Sequence, residues 1–182
     1  ERMVTAAENR LLTEVEGDAP MGRWMRDRHW IPCIRSTQLA AGGRPERIRL
    51  LGENFVAFRT HDGAVGFVDE LCPHRGVSLA LARNEGGALT CIFHGWRIGT
   101  DGCVLDAPSE LRDPKGFAAK VPFRRYPVFE GGGLVWVWLG TSAPAERPNT
   151  PFCLLPQDHC WVTRTITPCN WLQGVEGTLD SI

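Results

Sequence analysis

Lysine is nearly missing from this sequence: Lys115 and Lys120 are the only two among 20 basic residues, and arginine supplies the rest. We read that imbalance as a genome's codon preference, not as a phosphate-binding device. Net charge is missing as well, only −1 at pH 7, so nothing draws the whole chain toward nucleic acid or an anionic membrane. No apolar run reaches the length that a bilayer demands. The opening ERMVTAAENRLLTEV lacks the apolar centre of a secretory signal. With Met3 taken as the natural first residue, a cytoplasmic protein is expected. Internal repeats and low-complexity tracts are absent too. What remains is an ordinary composition, 43% hydrophobic and 23% charged over 182 residues, enough for one full domain and part of another. Seven cysteines are an odd count that closes no disulfide framework, and in a reducing compartment they suit metal binding and free thiols.

The pattern along the chain is short apolar runs separated by turn residues. Two short helices are expected first: one with Leu11, Leu12 and Val15 as its apolar stripe, the other over Pro20–Trp30 with Pro20 near its start. Then RIRLLGENFVAFRTHDGAVGFVDE carries turn signals at Gly52-Glu53-Asn54 and at Asp62-Gly63. The stretch from Trp96 to Val104 repeats the device, and YPVFEGGGLVWVWLG predicts a further hairpin closed at Gly131–Gly133. Residues 108–122 read as irregular, broken by Pro114, Gly116 and Pro122. Pro144, Pro148, Pro151 and Pro156 make a stiff connector. WVTRTIT (161–167) predicts a last strand, and CNWLQGVEGTLDSI opens a helix that stops without a terminator, as in a chain cut there. The expected division is a helical segment over 1–30, a mainly β domain of antiparallel sheets over 31–140, and a linker with the start of another domain over 141–182.

Two stretches carry the chemistry: Cys72-Pro73-His74-Arg75-Gly76, and Cys91-Ile92-Phe93-His94-Gly95-Trp96, which begins nineteen residues later. Both fall in loops at strand ends. Each offers one thiol and one imidazole, and such a set could hold zinc, a mononuclear iron or a two-iron cluster. Structural zinc in a Cys2His2 site usually takes its thiolates from one loop and its imidazoles from another segment. Here the types are mixed within each loop, as a [2Fe–2S] cluster needs when two thiolates hold one iron and two imidazoles the other. Neutral imidazoles leave the reduced cluster less negative than four thiolates would, so the added electron is accepted more readily. Pro73 stiffens the first loop, Gly76 and Gly95 allow backbone N–H groups close to the sulfurs, and Trp96 can shield one side from water.

With C-P-H-R-G followed by C-x-x-H-G-W, the sequence resembles the Rieske domain of aromatic-ring-hydroxylating, or Rieske non-haem iron, oxygenases. PMGRWMRDRHWIPCIRS, LLGENFVAFRTHDGAVGFVDELCPHRG and NWLQGVEGTLD extend the likeness to the phthalate 4,5-dioxygenase type of oxygenase subunit. The resemblance implies a Rieske fold of antiparallel sheets with hairpin cluster-binding loops, followed by the start of an α+β catalytic domain. It implies that Cys72 and Cys91 bind one iron and His74 and His94 the other, with Arg75, Gly76, Gly95 and Trp96 around them. Respiratory Rieske proteins add a disulfide-forming cysteine to each loop. Val77 and Ile92 stand in that neighbourhood here, which points to the oxygenase or ferredoxin branch.

By the same resemblance Asp180 would bridge a cluster histidine of one subunit to an iron-binding histidine of its neighbour. The mononuclear Fe(II) would have its ligands beyond residue 182, and the subunits would form a trimer. Electrons would come from NAD(P)H through a flavin and iron–sulfur reductase, and the substrates would be O2 and an aromatic compound, hydroxylated or O-demethylated. No nucleic-acid or membrane partner is expected. From the residues alone Asp180 is equally a helix-surface acid. Cys33, Cys103, Cys153, Cys160 and Cys169 make no second ligand spacing and read mostly as small buried hydrophobes; His29, His61 and His159 read as surface or hydrogen-bonding residues, not ligands. Rival readings are a free-standing Rieske ferredoxin, which would carry electrons only, and a colourless zinc-stabilised binding module.

Overall fold

The structure, a computed structural model, describes residues 3–180. Glu1, Arg2, Ser181 and Ile182, with the expectation about where the chain begins, lie outside the described residues. Two helices, α1 (Ala6–Thr13) and α2 (Pro20–Arg28), precede three antiparallel sheets. The strands are β1 (Trp30–Arg35), β2 (Glu46–Leu50), β3 (Glu53–Arg59), β4 (Val65–Asp69), β5 (Arg83–Glu85), β6 (Ala88–Thr90), β7 (Arg97–Gly99), β8 (Val104–Asp106), β9 (Val128–Gly131) and β10 (Leu134–Trp138). They pair in the orders β1-β10-β9, β2-β3-β4 and β5-β6-β7-β8. A short helix, α3 (Pro114–Ala118), and a last one, α4 (Trp171–Leu179), complete the chain. Among the described residues no helix is long and apolar enough to cross a membrane.

The middle sheet explains the least alternating strand in the sequence. In β3, Phe55, Val56, Ala57 and Phe58 are all buried. Phe55 and Ala57 point to one side, where they meet Val135 and Val137 of β10. Val56 and Phe58 point to the other and meet Leu89, Ile98 and Val104 of the four-stranded sheet. A strand covered on both faces has no solvent side to mark with polar residues, and Phe55, Val56 and Phe58 each contribute roughly 1.5–3 kcal/mol by leaving water. The same logic splits β10. Val135 and Val137 face inward, while Trp136 and Trp138 join Trp30 in a separate aromatic cluster. The proline-rich connector lies over those tryptophans, accepting indole hydrogen bonds at the carbonyls of Ala145 (2.9 Å, from Trp30) and Ser142 (3.1 Å, from Trp138).

Four local expectations are corrected. Val15 falls outside α1, and Leu11 and Leu12 are exposed, so no buried stripe forms. The second helix stops at Arg28, because Trp30 is drawn into β1 opposite Trp138. Residues 108–122 are not wholly irregular: Pro114 starts α3 at a first-turn position where its missing N–H costs nothing, and Asp113 caps that helix through the Gly116 N–H. Residues 161–167 form no strand, since no neighbouring strand offers them a ladder, and Trp161 and Ile166 are exposed. The helix expected over the tail does form, with the Asn170 side chain capping it.

Candidate metal centre

The two loops share one backbone design. In each, the cysteine N–H donates to the carbonyl five residues on: Cys72 to Val77 at 2.9 Å, Cys91 to Trp96 at 2.8 Å. In each, a glycine four residues on donates back to the cysteine carbonyl: Gly76 at 2.9 Å, Gly95 at 3.0 Å. Both glycines are left-handed, φ +68° and +71°, a conformation that costs other L-residues about 1–2 kcal/mol. Space is not the constraint, because a Cβ at Gly76 would meet nothing within 4 Å and one at Gly95 only Pro108 at 3.7 Å. Their N–H groups are thus engaged by carbonyls, and the amides that face the Cys72 sulfur are those of His74 and Arg75.

The loops enter from different sheets. The first leaves β4 and is closed at its base by the bridge between Leu71 and Ser78; the second joins β6 to β7. They bring like donors together. Cys72 and Cys91 are both buried in one core cluster, and the Cys91 thiol is close enough to perturb that of Cys72. The imidazoles of His74 and His94 lie with centroids 4.6 Å apart at 76°, both half-buried. The His74 ring also stacks on Trp96, 4.8 Å away and within 4° of parallel.

Electrostatics suit ligation. Burial, followed by the neighbouring Cys91 thiol, pushes the Cys72 thiol up to about 11, so near neutral pH a binding cation displaces its proton. Burial, then His94 and Arg75, lower the His74 pKa and favour the neutral ring that a metal requires. His94 Nδ1 is buried without a hydrogen-bond partner, an arrangement that costs roughly 1–3 kcal/mol when nothing accepts the lone pair or proton. Among the described residues no three His, Cys, Asp or Glu side chains converge as they would around a single ion. A paired-thiol, paired-imidazole arrangement with an orphaned ring nitrogen fits a two-iron cluster better than tetrahedral zinc.

Other expected residues fall as follows. Trp96 is buried beside His74, and Arg75 is exposed at the loop tip. Asp180 caps the C-terminal end of α4, exposed, with its N–H bonded to the Glu176 carbonyl; no described hydrogen bond or ion pair joins it to the two loops. All seven cysteines are free, but only Cys72 and Cys91 are buried. Cys33, Cys103, Cys153 and Cys160 are half-buried and Cys169 exposed: Cys33 sits at the irregularity of β1 between Pro32 and Ile34, and the others lie in turns and connectors outside the strands. His29, His61 and His159 are on the surface. Two supporting groups had no signal in the sequence. Glu70 accepts from Ser78 and Arg47, each at 2.6 Å, and clasps the base of the first loop. Ser109 accepts from the Trp96 indole at 2.8 Å. Both depend on partners distant along the chain.

Residues 29–123 match the family model of the Rieske [2Fe-2S] domain. The chain is 44% identical over 180 residues to the 3-chlorobenzoate-3,4-dioxygenase oxygenase subunit of Comamonas testosteroni, covering 98% of itself and 41% of that protein. It is 44% identical over 182 residues to the phthalate 4,5-dioxygenase oxygenase subunit of Pseudomonas putida, again covering 98% and 41%. In structure it resembles the oxygenase in the reduced oxygenase–ferredoxin complex of carbazole 1,9a-dioxygenase, with TM-score 0.57 and 29% identity, covering 68% of this chain and 33% of that one. The chain spans about two fifths of the curated relatives it matches.

Proposed function

The chain belongs to the Rieske [2Fe–2S] family, and from that premise we propose that it is the electron-receiving portion of an aromatic-ring-hydroxylating oxygenase subunit. In this reading Cys72 and Cys91 hold one iron, and His74 and His94 hold the other. When bound, the cluster takes up and releases one electron at a time. The observation that carries the reading is the segregation of thiols from imidazoles at two hairpin tips of like backbone, together with the unpartnered His94 Nδ1.

The chain's own residues set the conditions for that exchange. The thiols sit in the apolar cluster of Leu79, Leu89 and Ile98, which keeps water from the sulfurs. Trp96 covers one flank of His74. The imidazoles are half-buried, and exposed Phe93 lies against the His94 ring with centroids 4.0 Å apart, so a partner can approach the histidine edge without unfolding the loops.

The wider activity follows the relatives. A reductase drawing on NAD(P)H, with or without a ferredoxin, would deliver the electrons, and the companion protein in the carbazole 1,9a-dioxygenase complex supports a partner of that kind. Asp180, exposed at the end of α4, would accept a ring N–H from a histidine of another copy in a trimer. The mononuclear Fe(II), O2 activation and an aromatic substrate would belong to the remainder of a longer protein, with 1–30, 31–140 and 141–182 as its first segments. Cluster assembly followed by iron analysis and electron paramagnetic resonance tests the core of this. Two irons per chain and a reduced-state signal of the two-histidine type are expected; a colourless, zinc-loaded protein would overturn it.

A further inference from the structure

The indole of Trp96 is fixed on three sides by three separate stretches of chain. His74 stacks on one face, 4.8 Å away. Phe117 of α3 meets the ring edge-on at 6.0 Å and 85°. The indole N–H donates to Ser109 Oγ at 2.8 Å. Ser109 itself is held in a turn after β8, closed by the Glu110 N–H on the Ala107 carbonyl at 2.9 Å. Stacking on His74 resists tilt but not sliding, since an offset stack is about as favourable over a range of lateral positions. A cleft of about 400 Å³, lined by Pro73, His74, Trp96, Ser109 and Phe117 among others, lies alongside. The one directional bond in this arrangement is the one to Ser109.

We propose that Ser109 is a positioning residue for the cluster: by holding the Trp96 indole in register over His74, it sets the reduction potential of the centre. The inference rests on the cluster reading above. Two effects act in the same direction. An acceptor at the indole N–H makes the ring more electron-rich, and an electron-rich face beside a ligand disfavours an added electron. A ring held in place also keeps water from the His74 flank, and water would stabilise the extra negative charge of the reduced state. Losing the acceptor therefore raises the potential.

The test compares Ser109→Thr with Ser109→Val in the full chain with its cluster assembled. The two side chains match in shape and differ only in the acceptor. The readouts are the midpoint potential and the reduced-state electron paramagnetic resonance spectrum, alongside iron content. S109T is expected to match wild type, and S109V to shift to higher potential with an altered spectrum. That difference should vanish when Trp96→Phe removes the indole N–H. Parallel behaviour of the two variants, or a difference that persists beside W96F, would overturn it. A wild-type protein that takes up no iron would instead remove the premise, before any variant is compared.

Discussion

Replacing Glu70 by alanine should loosen the first metal-site loop from its base. The Glu70 side chain is almost wholly buried, at 7% exposure, and accepts from Ser78 Oγ and Arg47 Nη2 at 2.6 Å each. Its carbonyl receives the Leu79 N–H at 2.7 Å, so one residue ties both arms of the loop. A hydrogen bond to a buried charged group contributes roughly 1.5–3 kcal/mol. The Arg47 side chain is 59% exposed, so its ion pair adds only about 0–1 kcal/mol after solvent screening. Glu70→Ala should then cost about 3 kcal/mol, and Glu70→Gln about 1 kcal/mol, because the amide oxygen still accepts while the charge is gone. Urea unfolding of the three proteins side by side measures this, and a chelator challenge reads the loop directly, with faster iron release from Glu70→Ala. A Glu70→Ala protein within about 0.5 kcal/mol of wild type that releases iron no faster would refute the argument.

Glycine positions should separate by mechanism. At Gly76 alanine meets empty space and costs only the left-handed backbone, about 1 kcal/mol. At Gly66 the new Cβ would run into the Phe58 ring and sit 2.9 Å from Thr100 Cα, an overpacked contact costing about 3 kcal/mol; equal midpoints for the two variants would contradict this. His74→Cys or His94→Cys should lower the reduction potential or lose the cluster, since a thiolate adds negative charge at the iron, and unchanged spectra would count against the ligand assignment. Arg59 donates to Glu130 at 2.6 and 3.0 Å and holds its carboxyl below the usual range. The folded-state pKa is depressed, so the stabilisation is present above the ordinary carboxylate range and is lost as pH falls through the folded value. Glu130→Gln should flatten that acid limb of a stability–pH profile, and an unaltered slope would argue against the pair.

The turns and the candidate ligands were readable in the sequence because each is local. Asp62-Gly63 and Gly131–Gly133 mark backbone that must reverse within a few residues, and β3–β4 and β9–β10 follow from them. Cys72, His74, Cys91 and His94 are marked by spacing alone, whereas the glycine four residues after each cysteine was visible but its N–H goes to the cysteine carbonyl and not to the sulfur expected from sequence. The apolar run in β3 was visible as well, although only the sheet on each side explains why it does not alternate. Tertiary structure decided the rest. Residues 161–167 have strand composition but no ladder, since a strand needs a neighbour that local sequence cannot supply. Pairing thiol with thiol and imidazole with imidazole took two sheets to bring residues 72–74 and 91–94 into one place. The Glu70–Ser78–Arg47 clasp and the Trp96–Ser109 bond join residues 8 to 31 and 13 positions apart. A hydroxyl or a carboxylate has no pattern of its own in a sequence, and acquires its role only from the partner that folding places against it.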